Sequence, residues 1–410
     1  MLDPAANKGR IVLVDNGLTY RIGHHAHFAI GLARMQMASK RRLVVLAAAK
    51  MEPELAAGPL RPRPVFTLGL NDFPADGDAF ERAWNDQQLA AQYTEDLSRS
   101  GFKPLETDLL WMPTARAREI AGLAAWLKTL RQRPRIALGF HSVIRSLDPG
   151  SVSGLLHRMA GRLLDEAVGQ KRVLAYATNR LLALRLTAAL GLTVHAAPLP
   201  HFYEKLGPDE PLPELPAGNG ALVGCLGMQR EDKRFADLPA LLARIHALRP
   251  DLRFVVQVGS ADLEPSFVAL EEDPRVRLIR GYLDERAFCA LIAACDLLLL
   301  SYKPERYMAR ISGPFVFGAV YGTPSVVPAN TWMAERIVVG RAAGLTYDGD
   351  DDALAQAVAR GADDHAGLKA QAAALAGPWR SWDGRALVKA VSRWAAGHAL
   401  DALRQSGAVA

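Results

Sequence analysis

The sequence predicts an α/β protein built from two doubly wound parallel-sheet domains in tandem. Three observations lead there. Short continuous apolar runs alternate with longer amphipathic stretches, the pattern of strands buried on both faces and the helices that cover them. A proline- and glycine-rich stretch interrupts the chain near its middle. The same strand–helix rhythm then starts again.

In the first half the apolar runs place buried strands at Ile11–Asp15, Leu43–Ala48, Val65–Leu68, Asp108–Trp111, Ile136–Phe140, Val173–Ala177 and Thr193–Ala196. The stretches between them carry helical periodicity and give helices at His24–Met37, Phe80–Arg99, Ala115–Leu130, Val152–Val168 and Arg180–Leu190. Gly207–Gly220 holds four prolines and three glycines and no periodicity, which marks a linker. Beyond it, strands are predicted at Ala221–Leu226, Phe254–Val258, Val276–Ile279, Asp296–Leu300 and Ser325–Val327, and helices at Ala236–Leu248, Glu285–Cys295, Pro314–Tyr321 and Asp352–Gly361. In Glu285–Cys295 the apolar residues Phe288, Leu291, Ile292 and Cys295 recur at helical spacing on one face. A last helix spans about Arg385–Arg404. The expected domains are therefore 1–206 and 221–384, joined by the linker 207–220, with 385–410 as a closing helix.

Composition excludes several classes. The 410 residues are 50% hydrophobic and 22% charged, so the chain is globular rather than disordered. A net charge of +6 is modest for this length; it speaks against a nucleic-acid-coating protein and leaves room for a local phosphate site. Three cysteines, Cys225, Cys289 and Cys295, are too few for a disulfide framework and fit a reducing compartment. No apolar run reaches the roughly 20 residues that span a bilayer. The expectation is a cytoplasmic protein, attached to a membrane at most peripherally. Basic groups at Lys40-Arg41-Arg42, Arg61/Arg63 and Arg131/Arg133/Arg135, and the helix Ala115–Leu130, are the segments considered for such attachment.

In doubly wound sheets ligands bind beyond the carboxyl ends of the strands, so the residues after each strand matter most. Gly227-Met-Gln-Arg230-Glu-Asp-Lys233-Arg234 combines a glycine, which admits close backbone approach, with cations at a helix start. Free N–H groups and the helix dipole favour an anion there, and a diphosphate fits. Tyr302, Tyr307 and Arg310 precede Ser312-Gly313-Pro314, where Ser312 can cap a helix whose opening N–H groups make a second anion seat. Gly281-Tyr-Leu283 offers backbone to a base edge, and Gly322-Thr-Pro…Thr331-Trp332 brings polar groups to a strand end. Each segment also reads as ordinary loop and cap.

Taken in order, these segments resemble the GT-B glycosyltransferases of the broad family-four-like kind that act in bacterial polysaccharide and cell-envelope assembly. The likeness covers most of the chain and is sharpest over Ala221–Gly344. It implies two Rossmann-like domains facing each other across a cleft. It also implies a nucleotide-diphosphate-sugar donor held by the C-terminal domain at Gly227, Arg230, Lys233, Leu283, Tyr302, Tyr307, Arg310, Ser312, Gly313 and Thr331, with no metal and no further cofactor. Transfer with retention to a glycan, lipid-linked or small-molecule acceptor, and a final helix that returns to the first domain, belong to the same expectation. One departure is plain. The family places two glutamates eight apart before Gly322-Thr-Pro324, and this chain has Ala309 and Phe317 there.

In the first half, Gly17 and Gly23 fit the family's glycine loop, with Gly17 toward the donor and Gly23, His24 and His25 toward the acceptor. His24, His25 and His27 also invite a metal reading, which no accompanying cysteine or carboxylate set supports. His141 ends a buried strand, and the resemblance makes it a sugar-contacting residue; with Arg230 and Lys233 it forms the catalytic expectation. Asn179, His201 and the acidic stretch Asn71-Asp72…Asp76…Asp78 are further candidates. Two other readings stay open: a non-catalytic nucleotide-sugar- or glycan-binding or scaffold protein of this fold, and a nucleotide-sugar epimerase of this fold.

Overall fold

The computed structural model describes residues 9–398, except 22, 40, 41, 71, 73–77, 142–146, 149, 208, 260–264 and 282. The chain divides into two compact units. The first runs to Phe202 and resumes at Trp382, and the second is Tyr203–Ser381.

The first unit contains strands β1 (Ile11–Asp15), β2 (Leu43–Ala48), β3 (Arg63–Phe66), β4 (Leu109–Met112), β5 (Arg135–Phe140), β6 (Val173–Ala177) and β7 (Val194–Ala196). Its helices are α1 (His24–Ser39), α2 (Pro53–Ala57), α3 (Ala79–Arg99), α4 (Ala117–Lys128), α5 (Val152–Val168) and α6 (Arg180–Leu190). The strands form one sheet in the order β3-β2-β1-β4-β5-β6-β7, and every ladder described is parallel. Strand side chains alternate between faces. Val12 and Val14 join the core under α3–α6, whereas Ile11 and Leu13 join the opposite core.

The second unit contains β8 (Leu222–Cys225), β9 (Arg253–Val258), β10 (Val276–Arg280), β11 (Leu297–Leu299), β12 (Ser325–Pro328) and β13 (Gly344–Tyr347), again all parallel, in the order β10-β9-β8-β11-β12-β13. Its helices are α7 (Leu238–Leu248), α8 (Pro265–Val268), α9 (Glu285–Ala294), α10 (Pro304–Tyr307), α11 (Gly313–Tyr321), α12 (Trp332–Val338), α13 (Asp351–Asp363) and α14 (His365–Ser381). The last helix, α15 (Gly384–Ala395), belongs to the first unit. It packs Leu387, Val388, Val391 and Trp394 into the core with Ile11, Leu13 and Trp111.

Several expectations shift. The strand expected at Val65–Leu68 is Arg63–Phe66. Arg63 and Pro64 are exposed on the edge of the sheet, where a proline is tolerated. The last helix stops at Ala395 rather than near Arg404, and its final residues 399–404 lie outside the described residues. The stretch Ala115–Leu130 is not an interfacial helix, because residues 117–124, 126 and 127 of α4 are buried. Arg133 donates to the Leu127 carbonyl at 3.0 Å, and Arg135 lies 5.3 Å from the Trp394 ring centroid, so both serve the first unit internally. Lys40, Arg41, Asn71 and Asp76 lie outside the described residues. Among the described residues, no helix is long and apolar enough to cross a membrane.

Candidate functional site

In the second unit β8 and β11 are neighbours, and the chain winds outward from them in opposite directions. Such a switch point opens a crevice at the carboxyl end of the sheet. Gly227 leaves β8 with φ of 108°, a conformation natural to glycine. A Cβ there would lie 2.9 Å from Lys233 Nζ and 3.2 Å from Pro314 Cγ. The Gly227 backbone, the Lys233 ammonium and the first turn of α11 therefore meet at one point.

The Lys233 ammonium makes no hydrogen bond or ion pair with any described residue; its recorded neighbour is the Tyr302 ring, 5.3 Å from Nζ to centroid. Burial pushes its pKa down from 10.5 to about 7, with Arg230 and Arg310 acting in the same direction and Asp232 opposing them. An unpaired ammonium beside helix N–H groups is an anion site in waiting.

Asp232 organises the cations around it. Arg310 Nη1 donates to it at 2.8 Å and Arg230 Nη2 at 3.1 Å, and Arg230 Nε lies 3.0 Å from Oδ1 as a charge contact without hydrogen-bond alignment. Arg230 Nη2 also donates to the Tyr307 hydroxyl at 2.8 Å. One carboxylate thus holds two guanidiniums and leaves their sum positive. Tyr302 and Tyr307 are buried. The Tyr302 hydroxyl accepts from Ser312 at 3.3 Å, and Ser312 Oγ in turn caps α11 by accepting from Phe315 N–H. Both tyrosine hydroxyls are engaged inside the protein, so they support the cations and the helix start.

Two loops complete this region. Gln257 accepts from Gly227 N–H at 2.9 Å and donates to the Gly281 carbonyl at 3.3 Å, which ties the loop after β8 to the loop after β10. Its signal was a polar residue inside the apolar strand Phe254–Val258, and sequence reasoning passed over it. Leu283 makes no hydrogen bond with the described residues and leaves its N–H available, whereas Tyr282 lies outside them. The Thr331 hydroxyl donates to the Pro328 carbonyl and caps α12 through Ala334 N–H, and its carbonyl accepts from Glu335 N–H. Phe317 is buried and packs edge-on against Tyr203 and Phe288, at centroid distances of 5.7 and 5.9 Å. Aromatic packing occupies the position of the expected carboxylate.

The first unit has its own switch point between β1 and β4. Asp15 ends β1, and its carboxylate accepts from His25 Nδ1 at 2.8–2.9 Å. That bond fixes the ring and leaves Nε2 without a hydrogen bond among the described residues. The ring lies on the Gly17 backbone, where a Cβ would come within 2.3 Å of Cε1. His24 stacks on His25 at 4.0 Å and meets His141 edge-on at 5.5 Å. Burial lowers the pKa of His141 to about 4 and also lowers that of His24, with His25 adding to both. Both rings are neutral near pH 7. Gly23, with φ of 100° and open space around it, precedes this helix.

His27 and His201 lie 5.6 Å apart, and His27 Nε2 accepts from Phe202 N–H at 2.8 Å. Asn179 caps α6 by accepting from Leu182 N–H. Among the described residues, no three histidine, cysteine, aspartate or glutamate side chains are grouped to hold a metal ion. Ser142 lies outside the described residues. Sequence reasoning missed the role of Asp15, because its partner stands ten residues on, across a loop.

The chain is similar in structure to HepE of Anabaena, solved in complex with UDP-glucose, at 16% identity over 95% of this chain and 100% of that one, with a TM-score of 0.59. The fold is GT-B. Sucrose-phosphate synthase of Thermosynechococcus elongatus aligns with a TM-score of 0.59, at 14% identity over 95% of this chain and all of its own. A putative UDP-N-acetylglucosamine 2-epimerase of Listeria monocytogenes aligns with a TM-score of 0.57, at 13% identity over 94% of this chain and 96% of that one. No family pattern matches the chain, and no curated protein matches it in sequence.

Proposed function

We propose that the chain is a glycosyltransferase that moves a sugar from a nucleoside-diphosphate-sugar donor to a hydroxyl acceptor. The observation that carries this reading is the unpaired Lys233 ammonium against Gly227 and the first turn of α11. When the anomeric C–O bond breaks, negative charge gathers on the departing diphosphate. Lys233, the Gly313 N–H and the Arg230–Asp232–Arg310 group meet that charge with preset positive potential. Two arginines, a lysine and a helix start supply the compensation, so the reading includes no metal ion. The Leu283 N–H, unbonded among the described residues, suits a base edge, and HepE was solved with a nucleotide sugar, UDP-glucose.

The first unit handles the acceptor. His25, held by Asp15, receives the acceptor hydroxyl at Nε2, while the neutral His24 and His141 rings exchange hydrogen bonds with sugar hydroxyls. The resemblance points to retention, in which the departing diphosphate takes the acceptor proton and His25 only positions the hydroxyl. An inverted product would instead assign proton removal to His25. A glycan or lipid-linked acceptor, in polysaccharide assembly at the cytoplasmic face of a membrane, is the setting that fits the family likeness.

The test offers a panel of nucleotide sugars, with calorimetry for binding and mass spectrometry for products. Sugar transfer, or slow donor hydrolysis without acceptor, supports the proposal. An isomerised nucleotide sugar formed without acceptor would replace it with epimerisation, the activity named for the Listeria neighbour. Binding with no turnover would leave a carrier or scaffold.

A further inference from the structure

Helices α5 and α6 follow the adjacent parallel strands β5 and β6, so they run in the same sense. They touch closely: a Cβ on Gly161 of α5 would lie 2.0 Å from the Leu190 carbonyl oxygen of α6. Their inner faces, including Leu164, Leu182 and Leu186, lie in the core. Their outer faces do not resemble a solvated surface. Leu155 and Met159 stand one turn apart on α5, and Leu181 and Leu184 stand on α6, with exposures of 53%, 50%, 39% and 61%. Large apolar residues on a soluble surface usually occur singly. Arginines 158, 162, 180 and 185 are interspersed with them and exposed. Neither Arg158 nor Arg180 forms an ion pair among the described residues. The acids on α5 are engaged locally, Glu166 with Lys128 and Asp165 with Gln170.

We infer that this outer face of α5 and α6 docks on an anionic lipid surface. Leucine and methionine enter the headgroup–acyl boundary, and the arginines lay their stems along it and hold lipid phosphates. The excess of positive charge, four exposed arginines against Asp165 and Glu166, argues for this occupant over a second copy of the chain. A two-fold contact would set arginine against arginine. Both helices begin at the carboxyl end of the sheet, where His141 lies, so docking would hold that end near the bilayer. The inference stands apart from the transferase reading, and its test reads membrane binding alone.

The full chain is sedimented with vesicles of phosphatidylcholine alone and of phosphatidylcholine mixed with phosphatidylglycerol. Binding to the anionic vesicles only, weakened by salt, is expected. Replacing Met159→Glu together with Leu184→Glu should abolish it. Arg158→Gln with Arg180→Gln, which removes no recorded bond, should lower partitioning about thirtyfold with the melting temperature unchanged. Equal binding to both vesicles, no binding to either, or full retention in the arginine variant would each overturn the inference. So would a concentration-dependent dimer in free solution that the Met159/Leu184 variant dissolves, since that assigns the face to a second copy.

Discussion

Lys233 carries two consequences that no other residue shares. Its ammonium is desolvated and unpaired, with a pKa of about 7, and a bound diphosphate stabilises the protonated form. The titratable or charged groups acting on it are Arg230, Asp232 and Arg310. Affinity for a nucleotide sugar should hold level below about pH 7 and fall as pH rises above it. Calorimetry across that range reads this directly, and Lys233→Ala should flatten the profile. The same replacement should slow transfer by about a hundredfold or more, the scale seen when one preset donor is removed from a developing anion. Gly227→Ala should act on the same site by another route. It forces a Cβ into a left-handed conformation 2.9 Å from Lys233 Nζ. A rise in KM for the donor, with the acceptor KM unchanged, would mark that displacement. At His25 the informative change is Asp15→Asn. It removes the carboxylate that orients the ring and should lower kcat while the donor affinity of the second unit stays as it was.

At the scale of elements, α15 is the part whose loss matters most to the first unit. Trp394 is buried there beneath the Arg135 guanidinium. Trp394→Ala should cost about 3–5 kcal/mol, readable as a fall in denaturation midpoint. Most buried strands were legible in the sequence because a parallel strand covered on both faces is a continuous apolar run. Residues 344–347 (Gly-Leu-Thr-Tyr) are a strand without such a run, at the sheet edge, and the sequence offered nothing to mark it. Helix α14 also escaped notice. It runs on through Gly377 and Pro378, two residues that ordinarily signal a break. The cations of the candidate site were legible because they cluster after a strand. Their dependence on Asp232 was not, because an acid between two basic residues reads equally well as a solvated charge. The Asp15–His25 pair and the bridging Gln257 depend on contacts between loops distant in sequence, which periodicity cannot report.

At the scale of the whole molecule, two parallel sheets each place their chemistry at a switch point. The second gathers positive charge around an unpaired lysine, and the first gathers neutral imidazoles around a histidine held by an aspartate. On the proposed reading, the second is the donor site and the first the acceptor site. On that reading the second unit seats a diphosphate at Lys233, Gly227 and the start of α11. Calorimetric titration of nucleoside diphosphates and their sugars into the wild-type protein and Lys233→Ala at pH 6.5 reads that seat alone. Saturable binding of at least one nucleotide, weakened about a hundredfold by the replacement, is the expected result. Equal affinity in the two proteins, or no nucleotide bound by the wild type, would contradict it.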